Sequence, residues 1–131
     1  MPLIVILAAA ALAQGSPPAF EGTWKSPGGN SIITIAPCGA VWCGTVAWAS
    51  EQAKKDAAKV TSQLVGTQLL TNLHPDKKGN WSGKLFIPDK NMRATAKIAM
   101  AGDQLKVSGC LAGHALCKAE LWTRTTVPAS N

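Results

Sequence analysis

Four cysteines, two histidines and seven carboxylates are the side chains of this 131-residue sequence best suited to nucleophilic, acid–base or metal chemistry. The cysteines fall as two close pairs, Cys38/Cys43 and Cys110/Cys117, each bracketing turn-forming residues: Gly39 and Ala40 in the first, Ala112, Gly113 and His114 in the second. An even number of cysteines in a short exported chain predicts disulfides. Pairing within each short loop needs only a hairpin, which favours Cys38–Cys43 and Cys110–Cys117 among the three possible connectivities. The rival chemistry is one zinc site built from all four thiolates, although only the first pair has the gap of about two to four residues found in zinc knuckles. His74 precedes Pro75 in a polar stretch and His114 lies inside the second cysteine loop. Neither belongs to a nucleophile-bearing motif, and no HExxH, GxSxG, P-loop or GxGxxG is present. With the acids scattered singly, the expectation is a protein that is not an enzyme, with no catalytic residues, no cofactor and no metal.

The predicted disulfides agree with the amino terminus. Residues 3–13, LIVILAAAALA, are too short to cross a bilayer core of about 30 Å but match the apolar region of a signal peptide. Ala11-Leu12-Ala13 offers a small-x-small cleavage pattern, with Gln14 the first mature residue. No Lys or Arg precedes the run, so a buried or membrane-anchoring segment is the alternative. The expected organisation is a signal peptide over 1–13, a leader over 14–19, one domain over 20–125 and a tail over 126–131. The expected location is periplasmic or secreted, as a monomer that does not span the membrane after cleavage.

A mature chain of about 120 residues buries about two-thirds of its unfolded surface, enough for a core of its own. Hydrophobic residues make up 47 % of the sequence and charged residues 15 %, the reverse of a composition that stays disordered. The net charge of +6 comes mostly from lysine, including Lys54, Lys55, Lys59, Lys77 and Lys78. Such a surface attracts anionic envelope material. Nucleic acid is not expected, because export removes the encounter and only Arg93 and Arg124 offer bidentate contacts.

The elements that must carry these residues are mostly strands. Alternating or β-branched runs at 21–26, 31–36, 41–48, 64–71, 81–87, 92–100, 104–110 and 116–125 are separated by turn signals, and 72–80 reads as a loop. In the third run Trp42, Gly44, Val46 and Trp48 share one face. Ser50 caps a short helix over 51–59, with Glu51 at its positive end and Lys59 at its negative end. About eight strands without strand–helix–strand alternation predict an all-β, antiparallel barrel with one helical insert.

Gly22-Thr23-Trp24 on the first strand and Arg124 near the end of the last resemble the Gly-x-Trp and closing Arg of the lipocalin and calycin group. That resemblance implies a Trp at the barrel's closed end with the Arg across its face, so Gly22, Trp24, Trp122 and Arg124 are expected to form the closure. A longer pattern resembles DUF2147, a family of secreted bacterial proteins without assigned function. It consists of Gly22-Thr23-Trp24 with Pro27-Gly28-Gly29, Ile35-Ala36-Pro37-Cys38-Gly39 with Cys43-Gly44, Leu64-Val65-Gly66, Trp81-Ser82-Gly83-Lys84, and Leu105 to Cys110 with Leu116-Cys117 and Trp122-Thr123-Arg124. This resemblance implies a lipocalin-like barrel and little chemistry. The sequence departs from the family pattern at Asp89 to Arg93, in the helical insert, and at Val65, where a Cys is common.

An eight-stranded barrel is just wide enough for one small ligand or for its own side chains. Gly44, Gly83, Ala94 and Ala96 suggest unoccupied space beside the tryptophans. The expected function is therefore binding of a small hydrophobic or amphipathic molecule in the cell envelope, with Trp48, Trp81, Leu85, Met92 and Leu105 as cavity residues. The alternative is a non-enzymatic interaction protein that docks on an anionic envelope surface through its Lys-rich helix and loops.

Overall fold

The computed structural model describes residues 17–111 and 116–128. The expected signal peptide over 1–13, the start of the expected leader, His114 and the end of the tail lie outside the described residues. Eight antiparallel strands form a closed barrel in sequence order: β1 Gly22–Lys25, β2 Ser31–Cys38, β3 Val41–Ala49, β4 Gln68–Pro75, β5 Trp81–Ile87, β6 Met92–Ala101, β7 Gln104–Leu111 and β8 Leu116–Arg124. The expected all-β barrel with one helix is thus the observed architecture. Helix α1, Glu51–Ala57, crosses between β3 and β4, and the Ser50 hydroxyl accepts from the Ala53 N–H at 3.0 Å as its cap.

Inward positions follow the strand alternation. Ile33, Ile35, Leu70, Leu73, Ala96, Ile98, Leu105 and Val107 are buried together with Phe20, Trp24 and Trp122. At the end where β1 begins, Phe20 meets Trp42 and Trp81 edge to face, at centroid distances of 5.8 and 4.8 Å, and stoppers the barrel. At the other end Ala57 of α1 and Leu64 pack on Val46 and Ala49.

Three readings change. The β2–β3 ladder pairs Ile33 with Val46 but Ile32 with Trp48, so Ala47 is an extra residue. That bulge breaks the period of two and turns Trp48 to the face opposite Val46. The fourth strand starts four residues later than the alternation suggested and runs through Asn72, His74 and Pro75, which read as loop. Asn72 takes a left-handed conformation at φ 55°, which asparagine tolerates, and the register shifts between Thr71 and His74. Gly44 and Gly83 have close neighbours where a side chain would stand. A Cβ on Gly44 would stand 3.1 Å from Leu70 and 3.2 Å from Ile33, and one on Gly83 would strike the Thr71 and Asn72 carbonyl oxygens.

Candidate functional site

Gly22, Trp24 and Arg124 stand together at the seam between β1 and β8. Trp24 and Arg124 are partners across the β1–β8 seam, and the guanidinium carbon stands 4.2 Å over the Trp24 ring. Nη1 of Arg124 donates to the Glu21 carbonyl at 2.8 Å and Nη2 to the Ala19 carbonyl. Trp24, fully buried, donates from Nε1 to the Phe20 carbonyl at 2.9 Å. Gly22 has φ 133°, and a Cβ there would lie 2.5 Å from Nη1 of Arg124. Glycine is required at this position because the guanidinium occupies the space of a side chain. Trp122 is buried and donates to Glu120 Oε1 at 2.9 Å.

Both local cysteine pairings are present, with Cα separations of 5.9 Å for Cys38–Cys43 and 4.1 Å for Cys110–Cys117. The first closes the β2–β3 turn and the second joins register partners on β7 and β8. Among the described residues, no group of three or more His, Cys, Asp or Glu is placed to hold a metal ion. His74 is exposed, with Nδ1 2.7 Å from the Asn72 carbonyl oxygen.

The five residues singled out for a cavity are spread through the fold. Leu105 is fully buried in the core, and Trp81 packs on that core and on Phe20. Met92 is half-buried opposite Ile87 near the start of β6. Trp48 stands on the other face, opposite Ile32. Leu85 alone of the five lines a described cavity, a groove of about 420 Å³ across β4 to β7.

That groove is a feature of the wall. In the ladders Thr71 faces Lys84, Lys84 faces Thr95 and Thr95 faces Cys110, so the four stand in one cross-strand row. Phe86 and Arg93 form the next rung. Gly83, Leu85, Ala94 and Ala96 alternate with these residues and point to the core, which makes the Lys84 row the outer face. Gln68, Thr71, Lys84, Phe86, Arg93 and Thr95 line the groove, and the core-facing Gly83, Leu85, Ala94 and Leu111 border it. Arg93 lies flat on Phe86, its guanidinium carbon 4.4 Å from the ring centroid. Two cations and no carboxylate therefore share one groove, and it can hold an anionic group beside an apolar one. Arg93 stood out in the sequence only as a bidentate donor, and nothing there grouped it with Lys84 and Phe86, because only the strand register sets the three side by side.

The other basic feature is more nearly balanced. Lys54 pairs with Glu51 at 3.3 Å, and Asp56 accepts from Gln52 at 2.8 Å on the same helix. In the β4–β5 turn, Asp76 accepts from the N–H groups of Lys78 and Asn80 at 2.9 and 3.0 Å and from the Ser82 hydroxyl at 3.2 Å. Desolvation opposes ionisation there, but these hydrogen bonds together with the Lys97 charge hold the carboxyl below its ordinary value of 3.8.

Residues 22–124 match the model of a family described as an uncharacterized protein conserved in bacteria, DUF2147. The chain belongs to this family. Neither a curated protein nor a solved structure matches it. The DUF2147 match begins at Gly22 and ends at Arg124, the two residues whose contact closes the barrel. The family span is therefore one closed barrel. Among the described residues of this DUF2147 protein, no helix is long and apolar enough to cross a membrane.

Proposed function

We propose that the protein is an exported, non-enzymatic binding module of the bacterial cell envelope, and that it takes a small amphipathic molecule with an anionic head in the outer-wall groove. One observation carries this reading: Lys84 and Arg93 line a groove of about 420 Å³ beside the ring of Phe86, and no carboxylate lines it. A guanidinium or ammonium without an acid partner attracts a carboxylate or phosphate, and the adjoining apolar surface holds a short alkyl or ring portion. The close packing at Gly44, Gly83 and Gly109 favours the wall over the interior. The groove is also a better anchor than α1, whose lysines stand among its own acids. Export is supported by the two disulfides and by the apolar run at 3–13.

The test uses mature protein from its own periplasm. Native mass spectrometry followed by denaturing extraction looks for a bound anion, and titration with dodecyl phosphate and dodecyltrimethylammonium compares the two head charges. Binding of dodecyl phosphate at least about tenfold tighter than the cation, lost on Lys84→Glu with Arg93→Glu, is expected from two charge-assisted contacts. Equal binding of both amphiphiles, or unchanged phosphate binding by the double variant, overturns the assignment.

A further inference from the structure

β1 has four residues and β8 has nine, so the seam between them closes only part of β8. Among the described residues, β1 pairs with β8 at Trp24/Arg124 and Lys25/Thr123 and the turn Pro27–Gly29 that follows β1 stands against β8, whereas residues 118–121 pair as a strand with β7 alone. All four are exposed, and Leu121 is 46 % exposed. An edge of this kind is a template for another strand.

Two observations fix which backbone groups face that edge. The Thr125 N–H donates to the Thr23 carbonyl at 3.0 Å, so Thr125 directs its peptide groups toward β1. By alternation Thr123, Leu121 and Ala119 point the same way. Independently, the Cα atoms of Cys110 and Cys117 are 4.1 Å apart, close to the spacing of about 4.5 Å for a non-hydrogen-bonded antiparallel pair and well short of the hydrogen-bonded spacing of about 5.5 Å. The β7–β8 bonds therefore belong to the even-numbered residues of β8. Ala119 offers its N–H and C=O to the open edge.

The side chains around Ala119 select the strand that fits. Lys118 and Glu120 flank it on one face, with opposite charges. In an antiparallel pairing of β8 with itself about a twofold axis at Ala119, Lys118 of each copy lies opposite Glu120 of the other, in two equivalent pairs. Glu120 uses Oε1 for Trp122 and keeps Oε2 for the lysine. A shift of two residues in register sets Lys118 against Lys118 or Glu120 against Glu120, which is repulsive. In the favoured register Leu121 is covered by the Cys110–Cys117 disulfide of the second copy. An unrelated peptide strand would satisfy the backbone and leave these charges unmatched.

We infer that the open edge of β8 is a self-association surface, and that two copies of the chain join there as an isologous dimer centred on Ala119, continuing the β7–β8 ladder from one barrel into the other. Such a contact has the closed symmetry of most homodimers and uses main-chain strand addition for affinity with a charge pattern for specificity.

Sedimentation velocity of the mature protein over a concentration series reads this directly. A reversible monomer–dimer equilibrium is expected. Lys118→Glu converts both pairs to like-charge contacts and weakens association about tenfold, whereas Lys118→Glu with Glu120→Lys restores it. Ala119→Pro removes the edge-facing donor and abolishes dimerisation while the thermal midpoint of the barrel stays near the parent's. If that variant unfolds, the charge-reversal set decides. A monomer at every concentration overturns the inference, and so does a dimer whose affinity is the same in Lys118→Glu and in the double reversal.

Discussion

Replacing Arg124 with alanine removes three interactions at the barrel seam, and their sum can be worked from the geometry. The guanidinium sits 4.2 Å over Trp24, and because the side chain is exposed that stacking contributes about 0.5–1 kcal/mol. Its hydrogen bonds to the Glu21 and Ala19 carbonyls end on exposed residues, where water replaces the donor, so each contributes about 0.5 kcal/mol. The total is about 1.5–2 kcal/mol, or a fall in Tm of about 6–8 °C for a domain of this size. Urea denaturation followed by tryptophan fluorescence, with far-UV circular dichroism as a second probe, measures the change. Gly22→Ala approaches the same seat from the other side: its Cβ would stand 2.5 Å from Nη1 and its backbone would keep φ at 133°. It is expected to cost the same 2 kcal/mol or so, plus strain of about 1–3 kcal/mol. Both substitutions displace one guanidinium, so the double variant should be less destabilised than the sum by about 2 kcal/mol. An unchanged midpoint for Arg124→Ala, or strict additivity in the cycle, refutes the placement of Arg124 as the residue that holds the seam.

Leu105→Ala should cost about 3–5 kcal/mol in the same urea assay, because Leu105 is fully buried among packed side chains; a loss under about 1 kcal/mol would indicate an interior with free space. Gly83→Ala drives a methyl group into the Thr71 and Asn72 carbonyls, and the variant is expected to lose the β4–β5 ladder, read as faster amide exchange in those strands. Asp76 has a folded-state pKa depressed below its unfolded value, so it contributes stability that is present above about pH 4 and lost as the pH falls through the folded value. Thermal melts across that range should therefore show a smaller acid-side decline for Asp76→Ala than for the parent, and parallel declines would remove Asp76 as the cause.

Much of the barrel could be read from alternation and turn residues, and the places where reading failed share a cause. Met92, Ala94, Ala96, Ile98 and Met100 alternate without interruption, and β6 was legible at once. Trp48 was not, since a single bulged residue at Ala47 reverses every later side chain and carries no signature of its own. Asn72 and Pro75 read as loop because their types favour turns, yet a left-handed asparagine lets β4 bend and continue. The packing around the glycines was hidden for a different reason. A glycine in sequence shows that a side chain is missing, whereas Leu70 and Ile33 over Gly44, or Leu85 over Gly109, show who has taken its place. Lys84, Arg93 and Phe86 sit nine residues or fewer apart in the chain, but their shared groove depends on cross-strand register. The closure residues were legible because Gly22, Trp24 and Arg124 carry a motif recognisable without any register.

The seam has a consequence for how the molecule assembles. Seven of the eight strand pairings join neighbours in sequence, so each forms by a comparatively local closure, while β1 and β8 meet across about a hundred residues through two register pairs. Local hairpins zip first, and the long closure, which carries the larger entropic cost, comes last. A late-forming contact stabilises the native state without lowering the barrier to reach it, so weakening it accelerates unfolding and leaves the folding rate nearly untouched. The tie between Arg124 and Trp24 is in that sense a clasp on a finished meander, one that sets how long the barrel stays shut.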